Sequence, residues 1–416
     1  MIFLLMAGCF VVALLLAWGL NWLGLIPWRR SAGQHWTEQA RLLFPARKSA
    51  RLHLVALPVI LALGTYILAP QVNLLFAAVP AFVGALLAGY PMNRAIFPEI
   101  RLASWLHLVT AIPLLFFSPG AVLLLGVVAM PGNFGARTWA IAGAVLLALV
   151  AFLFGLGVRL MCWLRLLQAA PEYLQVLVGE ISQKMGVPVR ATWVLSTYLS
   201  NAAALPLTRQ LIFTGKLLAT HPEAEIKAIG AHELGHLNEP RRVRFTRVLL
   251  LLALFPVTFV KPLLSFGYGL IPVLGALLVG VLILLFVAIG LGRRMEKRAD
   301  KFAIESEFIN PEVYARALER LYQTNQMPAV MPRRSGKIHP DLYDRMLAAG
   351  VTPDFPKPPP PSRLSWTSYV ALAGLFALPV LALFIKALWA AWQTCSASGR
   401  RSRSAAAPSG SSSAGR

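Results

Sequence analysis

Long apolar runs alternate along this chain with polar stretches rich in arginine. A helix that crosses the hydrocarbon core of a bilayer needs about 20 mainly apolar residues. Stretches near 2–26, 53–70, 72–90, 104–129, 138–162, 247–265, 268–291 and 367–393 meet that demand and are predicted to span. The second and third are short and meet at Pro70-Gln71, which predicts a tight hairpin. Pro58, Pro80 and Pro113 fall inside spans, where neighbouring helices can satisfy the backbone groups a proline frees. The first run follows Met1 with no basic segment ahead of it. It reads as an uncleaved anchor.

Between the spans the pattern shifts. Residues 1–165 are mainly membrane, with the hydrophilic stretch 27–52 expected to be a basic loop. Residues 166–246 are the first substantial soluble segment. Pro171-Glu172-Tyr173 starts a helix there, with Leu174, Leu177, Val178 and Ile181 at helical spacing and Gly186-Val187-Pro188 as its stop. Two β-rich runs follow, Ala191–Leu199 and Gln210–Thr214. Pro222 and Glu223 then open a helix over about 223–238, closed by Pro240. Residues 247–291 return to the membrane as a hairpin. Residues 292–352 form the second soluble part, beginning with a helix that carries Arg293–Glu307, then one with Asn310 as N-cap and Pro311 at its first position. A Pro-rich linker at 353–364, a last span at 365–393 and a Ser/Ala/Gly/Arg-rich tail at 394–416, expected to be disordered, complete the chain.

Composition agrees with a polytopic membrane protein. Of 416 residues, 57% are hydrophobic and 13% charged, about half the charge of a soluble domain. The net charge of +22 would suggest nucleic acid in a soluble protein, but no nucleic-acid motif accompanies it. The basic residues instead gather in particular loops: Arg29 to Arg51, Arg94 and Arg101, Arg159 and Arg165, Arg241 to Arg247, and Arg293 to Arg298. With eight spans these loops all fall on one side, the cytoplasmic one by the positive-inside rule. Arg400, Arg401 and Arg403 then fall on the opposite side. The expected location is a bacterial inner membrane, with the bilayer as one partner and no nucleic acid. Cys9, Cys162 and Cys395 are scattered in or beside spans and read as apolar packing residues.

The candidate chemistry lies in His232-Glu233-Leu234-Gly235-His236. Two imidazoles four residues apart leave one helical face and can reach one metal ion, while Glu233 is placed to take a proton from water at that ion. A catalytic zinc site has three protein ligands and one open position. Glu296 and Asp300, also four apart, are candidates: Glu296 as third ligand, Asp300 as acceptor for the far nitrogen of a ligating His.

At this point the chain resembles the M48 peptidases, integral-membrane zinc metalloproteases with heat-shock and CAAX-processing branches. The resemblance rests on Ala231–His236, on Glu296 with Ala299-Asp300 beyond a membrane hairpin, on Asn201-Ala202-Ala203-Ala204, and on His339-Pro340 with Arg345-Met346. Ala203 stands where the family carries an aromatic. The resemblance implies a mainly α, polytopic protein with a gluzincin-like α+β peptidase domain interrupted by a transmembrane hairpin. It implies one Zn2+ on His232, His236 and Glu296, with Glu233 as general base and Asp300 supporting a His ligand, His232 first. It further implies His339 as oxyanion donor, Arg345 nearby or holding that loop, and Asn201, Ala202 and Ala203 as an edge strand for a peptide substrate. The expected activity is endopeptidase action on membrane or misfolded proteins. The alternatives are a CAAX-type processing protease for lipidated C-termini and a non-enzymatic membrane scaffold with a relic zinc site.

Overall fold

The computed structural model describes residues 2–267, 269–332 and 340–405. Seven helices among them are long and apolar enough to cross a membrane: Ile2–Gly24, Trp36–Leu68, Leu75–Ile96, Leu102–Ala129, Ala136–Leu153, Arg241–Ser265 and Leu270–Ile304. The eighth predicted span falls within the helix Trp366–Ala405. The protein is a mainly α, integral membrane protein with one small sheet. Large apolar side chains such as Phe3, Leu15, Phe116, Leu147 and Phe286 are exposed along the spans, which lipid accommodates and water would not.

The chain folds as two compact units. One comprises residues 1–30, 43–96 and 362–416. Here Ile2–Gly24 packs on Leu75–Leu87 through buried Ala13, Ala17, Ala77, Ala81 and Ala85. A Cβ added at Gly84 would collide with the Phe10 carbonyl oxygen. In lipid, where apolar burial gives helices no net drive to associate, such close backbone approach supplies the packing. Several polar groups buried in this unit are paired. His53 Nδ1 lies 2.9 Å from Asn21 Oδ1, and Ser365 and Ser368 donate to Ser49 Oγ at 2.9 and 2.6 Å.

The other unit, residues 31–42 and 97–361, holds the sheet. Strands β1 (Leu167–Ala169), β2 (Ala191–Leu195), β3 (Ala202–Leu205) and β4 (Gln210–Thr214) lie in the order β1-β2-β4-β3. β1 is antiparallel to β2, β2 parallel to β4, and β3 antiparallel to β4 with Ala203 opposite Ile212. The helix Glu172–Lys184 covers the sheet with Leu174, Leu177, Val178 and Ile181, the apolar set its periodicity predicted, and they share a core with Leu211, Phe213, Ile226, Ile229 and Leu234. A second core joins Ala228 and Ala231 to Ala303, Tyr314, Leu318, Leu342 and Met346. The helix Glu223–Leu237 runs between the two cores, so nearly every residue from Glu225 to Leu237 is buried.

Several expectations about element boundaries are corrected. The predicted basic loop 27–52 is largely helical, because Trp36–Leu68 is one helix that passes through Pro45 and Pro58. Its Arg, Leu and Ala residues are good helix formers, and charge alone does not end a helix. The predicted span 138–162 breaks after Leu153 at Gly155, whose φ of +91° is open to glycine. The sixth span is a helix at Arg241–Leu252, a 3-10 turn at Phe255–Phe259 containing Pro256, and a short helix at Val260–Ser265. The seventh span and the helix expected to follow it are continuous, Leu270–Ile304, since no proline interrupts Ile283 to Ile304. The tail, expected to be disordered from 394, continues as helix to Ala405.

Candidate metal centre

The helix Glu223–Leu237 starts after Pro222, with Glu223 and Glu225 in its first turn, where the helix dipole favours negative charge. Pro240 follows its end. Arg320 from the helix Pro311–Thr324 grips Glu225 at 2.8 Å, which fixes the near end. His232 and His236 project from the far half, with ring centroids 4.9 Å apart at an interplanar angle of 82°.

Glu296 and Asp300 arrive on the long helix Leu270–Ile304. The approach is close because Gly235 faces it. A Cβ built on Gly235 would sit 2.9 Å from Ala299 Cα and 3.2 Å from Ala299 Cβ. Ala299, itself fully buried, lies between Glu296 and Asp300, so the glycine–alanine contact sets the depth at which both carboxylates reach the imidazoles. His236 Nε2 is 3.4 Å from Glu296 Oε1, and His232 Nε2 is 3.7 Å from Glu296 Oε2.

These three side chains fit a metal ion. Their ligand atoms all lie within 4.8 Å of one another. Two donors bound tetrahedrally at the usual zinc distances are about 3.4 Å apart, close to the nitrogen–oxygen separations here. The donor set of two imidazoles and a carboxylate suits a first-row divalent ion. Burial opposes a charge on His236, but the carboxylates of Glu239, Glu233 and Glu296 outweigh it and raise its pKa. The same negative surroundings attract a cation. Glu233 is buried at 9% exposure, on the same helical turn.

Behind His232 the structure builds a buried cluster. Asp300 Oδ1 is 3.0 Å from His232 Nδ1. The Tyr314 hydroxyl donates to the same oxygen at 2.7 Å and lies 2.9 Å from His232 Nδ1. Arg345 donates to both oxygens of Asp300, at 2.6 and 3.0 Å, and to the Tyr314 oxygen at 2.9 Å. Burial raises the Tyr314 pKa well above its ordinary value, which keeps the phenol protonated as a donor. Burial alone would lower the pKa of Arg345, but the Asp300 carboxylate outweighs it and holds the guanidinium charged. With both Nε2 atoms turned to Glu296, His232 carries its proton on Nδ1, facing Asp300.

Arg345 therefore sits behind the metal-ligand cluster, at 6% exposure, and its contacts include Asp300, Tyr314 and Tyr322. His339 lies outside the described residues. Asn201 precedes β3. Its backbone N–H donates to Thr214 Oγ1 at 2.8 Å and its carbonyl accepts from Thr214 N at 2.9 Å. Ala202 and Ala203 form the first half of β3, which stands at the end of the sheet. Asn325 locks the approach to that strand, accepting from Ser200 N at 2.9 Å. Tyr314 and Asn325 escaped the sequence reading. The signal available for Tyr314 was a polar aromatic on the apolar face of a helix whose start, Asn310-Pro311, was legible.

Residues 168–350 match the model of Peptidase family M48. No curated protein matches the chain.

Proposed function

The chain belongs to peptidase family M48 through residues 168–350, and on that premise we propose that it is a membrane-embedded zinc endopeptidase acting on membrane or misfolded proteins. The observation that carries this reading is the convergence of His232, His236 and Glu296 from two helices separated in sequence by membrane-spanning segments. Two imidazoles and one carboxylate are a donor set that zinc takes with a fourth position left open. When bound there, the ion supplies Lewis acidity, making a water acidic near neutral pH and polarising a carbonyl.

The rest is the work of the protein's own side chains. Glu233 accepts the proton of the attacking water and passes it to the leaving amine. Its burial keeps that carboxylate away from bulk solvent. Asp300, Tyr314 and Arg345 hold the His232 ring and its tautomer. Arg345 is accordingly assigned to positioning rather than to substrate contact. A peptide adds in extended form along the outer edge of β3 at Asn201, Ala202 and Ala203, where the main-chain groups that are not bonded to β4 offer hydrogen bonds and the small alanine side chains demand little of the sequence. His339 is the proposed donor to the oxyanion that forms at the scissile carbonyl. The arginine-rich loops support a cytoplasmic site at a bacterial inner membrane.

The test is a comparison of wild type with Glu233→Gln, both purified in detergent. Wild type is expected to contain about one zinc per chain and to cleave an unfolded substrate such as casein. Glu233→Gln is expected to keep the zinc and lose cleavage by at least about 100-fold. Normal cleavage by the variant would remove Glu233 from the mechanism, and zinc-free wild type would remove the metal. Bare and lipidated C-terminal peptides run in parallel separate general endopeptidase action from CAAX-type processing.

A further inference from the structure

The two histidines are backed differently in sequence but alike in space. A ligating imidazole keeps its orientation by donating its other ring N–H to an acceptor. His232 has Asp300 for that purpose, 3.0 Å from Nδ1. His236 also turns Nε2 to Glu296, and its Nδ1 faces Glu239 Oε1 at 3.9 Å.

Glu239 is an unusual residue to find in this place. It follows the C-terminal end of the helix Glu223–Leu237, where the dipole disfavours negative charge. Its carboxylate is nevertheless buried at 3% exposure. Oε1 accepts from Arg247 at 2.5 Å, while Oε2 is buried without a hydrogen-bond partner among the described residues. A buried carboxylate is costly unless it is fully paired, and the Arg247 contact satisfies only part of this one. A protonated Nδ1 on a metal-bound His236 would give this carboxylate a second donor, at Oε1, the oxygen that it faces.

We propose that Glu239 is the positioning carboxylate of His236, held by Arg247 from the first helix of the membrane hairpin, Arg241–Leu252. This rests on the metal-centre reading above. The centre then has two matching supports, His232–Asp300–Arg345 and His236–Glu239–Arg247. The separation of 3.9 Å is about 1 Å longer than a hydrogen bond, a gap that a small tilt of the imidazole on coordination closes. Arg247 belongs to a helix that enters the bilayer, so the second support couples the metal centre to the seating of the hairpin.

The test uses the full chain in detergent, with zinc affinity measured by competition against a chromophoric chelator and the unfolding temperature of the metal-free protein measured beside it. Glu239→Gln is expected to weaken zinc binding by about 10- to 100-fold, and Glu239→Asp by less. Arg247→Gln, which leaves the carboxylate but frees it, is expected to fall between Glu239→Gln and wild type. A role in folding alone would lower the metal-free unfolding temperature and leave zinc affinity unchanged, and that result in either Glu239→Gln or Arg247→Gln overturns the proposal. Wild type that binds no zinc, or a His232→Ala variant that binds it normally, overturns the metal centre itself and is read separately.

Discussion

Asp300 is the residue on which most of the site's electrostatics converge. Its Oδ1 faces His232, Tyr314 and Arg345 at once, so each partner can be removed separately with a distinct outcome. Tyr314→Phe deletes one hydroxyl and leaves the Arg345–Asp300 pair intact. We expect zinc binding to weaken about 10-fold with a stability loss of about 1 kcal/mol, read by chelator competition and thermal unfolding. Arg345→Met leaves the Asp300 carboxylate buried without its cation, and breaking a buried pair from one side costs about 3–5 kcal/mol. That variant should unfold many degrees lower, and an unchanged unfolding temperature would show that the pair is not held as described. The spacing of His232, Glu233 and His236 was legible because it lies within one turn of helix, and so was that of Glu296 and Asp300. The place of Tyr314 was not, because its partners come from residues 14 and 82 positions away. The contact of Arg345 with Asp300 was not legible for the same reason. Its sequence neighbours give no sign of which carboxylate it will meet.

Between elements, the decisive contact is the meeting of Glu223–Leu237 with Leu270–Ile304 at Gly235 and Ala299. Gly235→Ala puts a methyl within 2.9 Å of a backbone atom, so the helices must move apart, at a cost of about 1–3 kcal/mol. Zinc affinity should fall with it, since Glu296 retreats from both imidazoles. Ala299→Gly, which removes the opposing Cβ but not the Cα, should restore only part of the loss in the double variant. Another element boundary carries a pH dependence. His221 ends the short helix Gly215–Thr220, and burial, helped by the Arg320 charge, lowers its pKa to about 4. In the unfolded chain it titrates near 6.5. The folded state therefore binds this proton less readily, and the stability His221 contributes is complete above about pH 6.5 and lost as pH falls towards about 4. Unfolding temperatures of wild type and His221→Gln should converge or cross over that interval, and parallel curves would refute the assignment. Element starts marked by proline and asparagine were legible in the sequence. The ends were less so: the long helix continues past Arg293, and Trp36–Leu68 begins well before its apolar run, because arginine-rich sequence is compatible with helix whether or not lipid surrounds it.

The whole molecule places its chemistry by the length of a single helix. At 1.5 Å per residue, the 35 residues of Leu270–Ile304 extend about 52 Å, while the hydrocarbon core accounts for about 30 Å. From Ile271 to Val287 large apolar side chains are exposed, and from Met295 to Ala303 the buried positions recur at helical spacing. Arg293 and Arg294 mark the change of solvent. Glu296 thus projects within about one turn of the arginines that end the apolar run. The hairpin's presence was legible as two apolar runs. Glu296 and Asp300, four apart just beyond it, already marked its far end as the source of a third ligand. If His232 and His236 meet Glu296 only because the hairpin returns the chain to them, a bound ion clamps the two halves of the peptidase domain. Ligand that binds only the folded form stabilises it by about 2.7 kcal/mol at 100 times its dissociation constant. Chelation should therefore lower the unfolding temperature of the wild-type chain, and added zinc should restore it in proportion to the logarithm of its concentration. Glu296→Gln should lose that response while His232 and His236 remain, because half of the clamp is gone. A zinc response in Glu296→Gln equal to wild type would mean that the two histidines hold the ion without the hairpin, and that the membrane segment has no part in building the site.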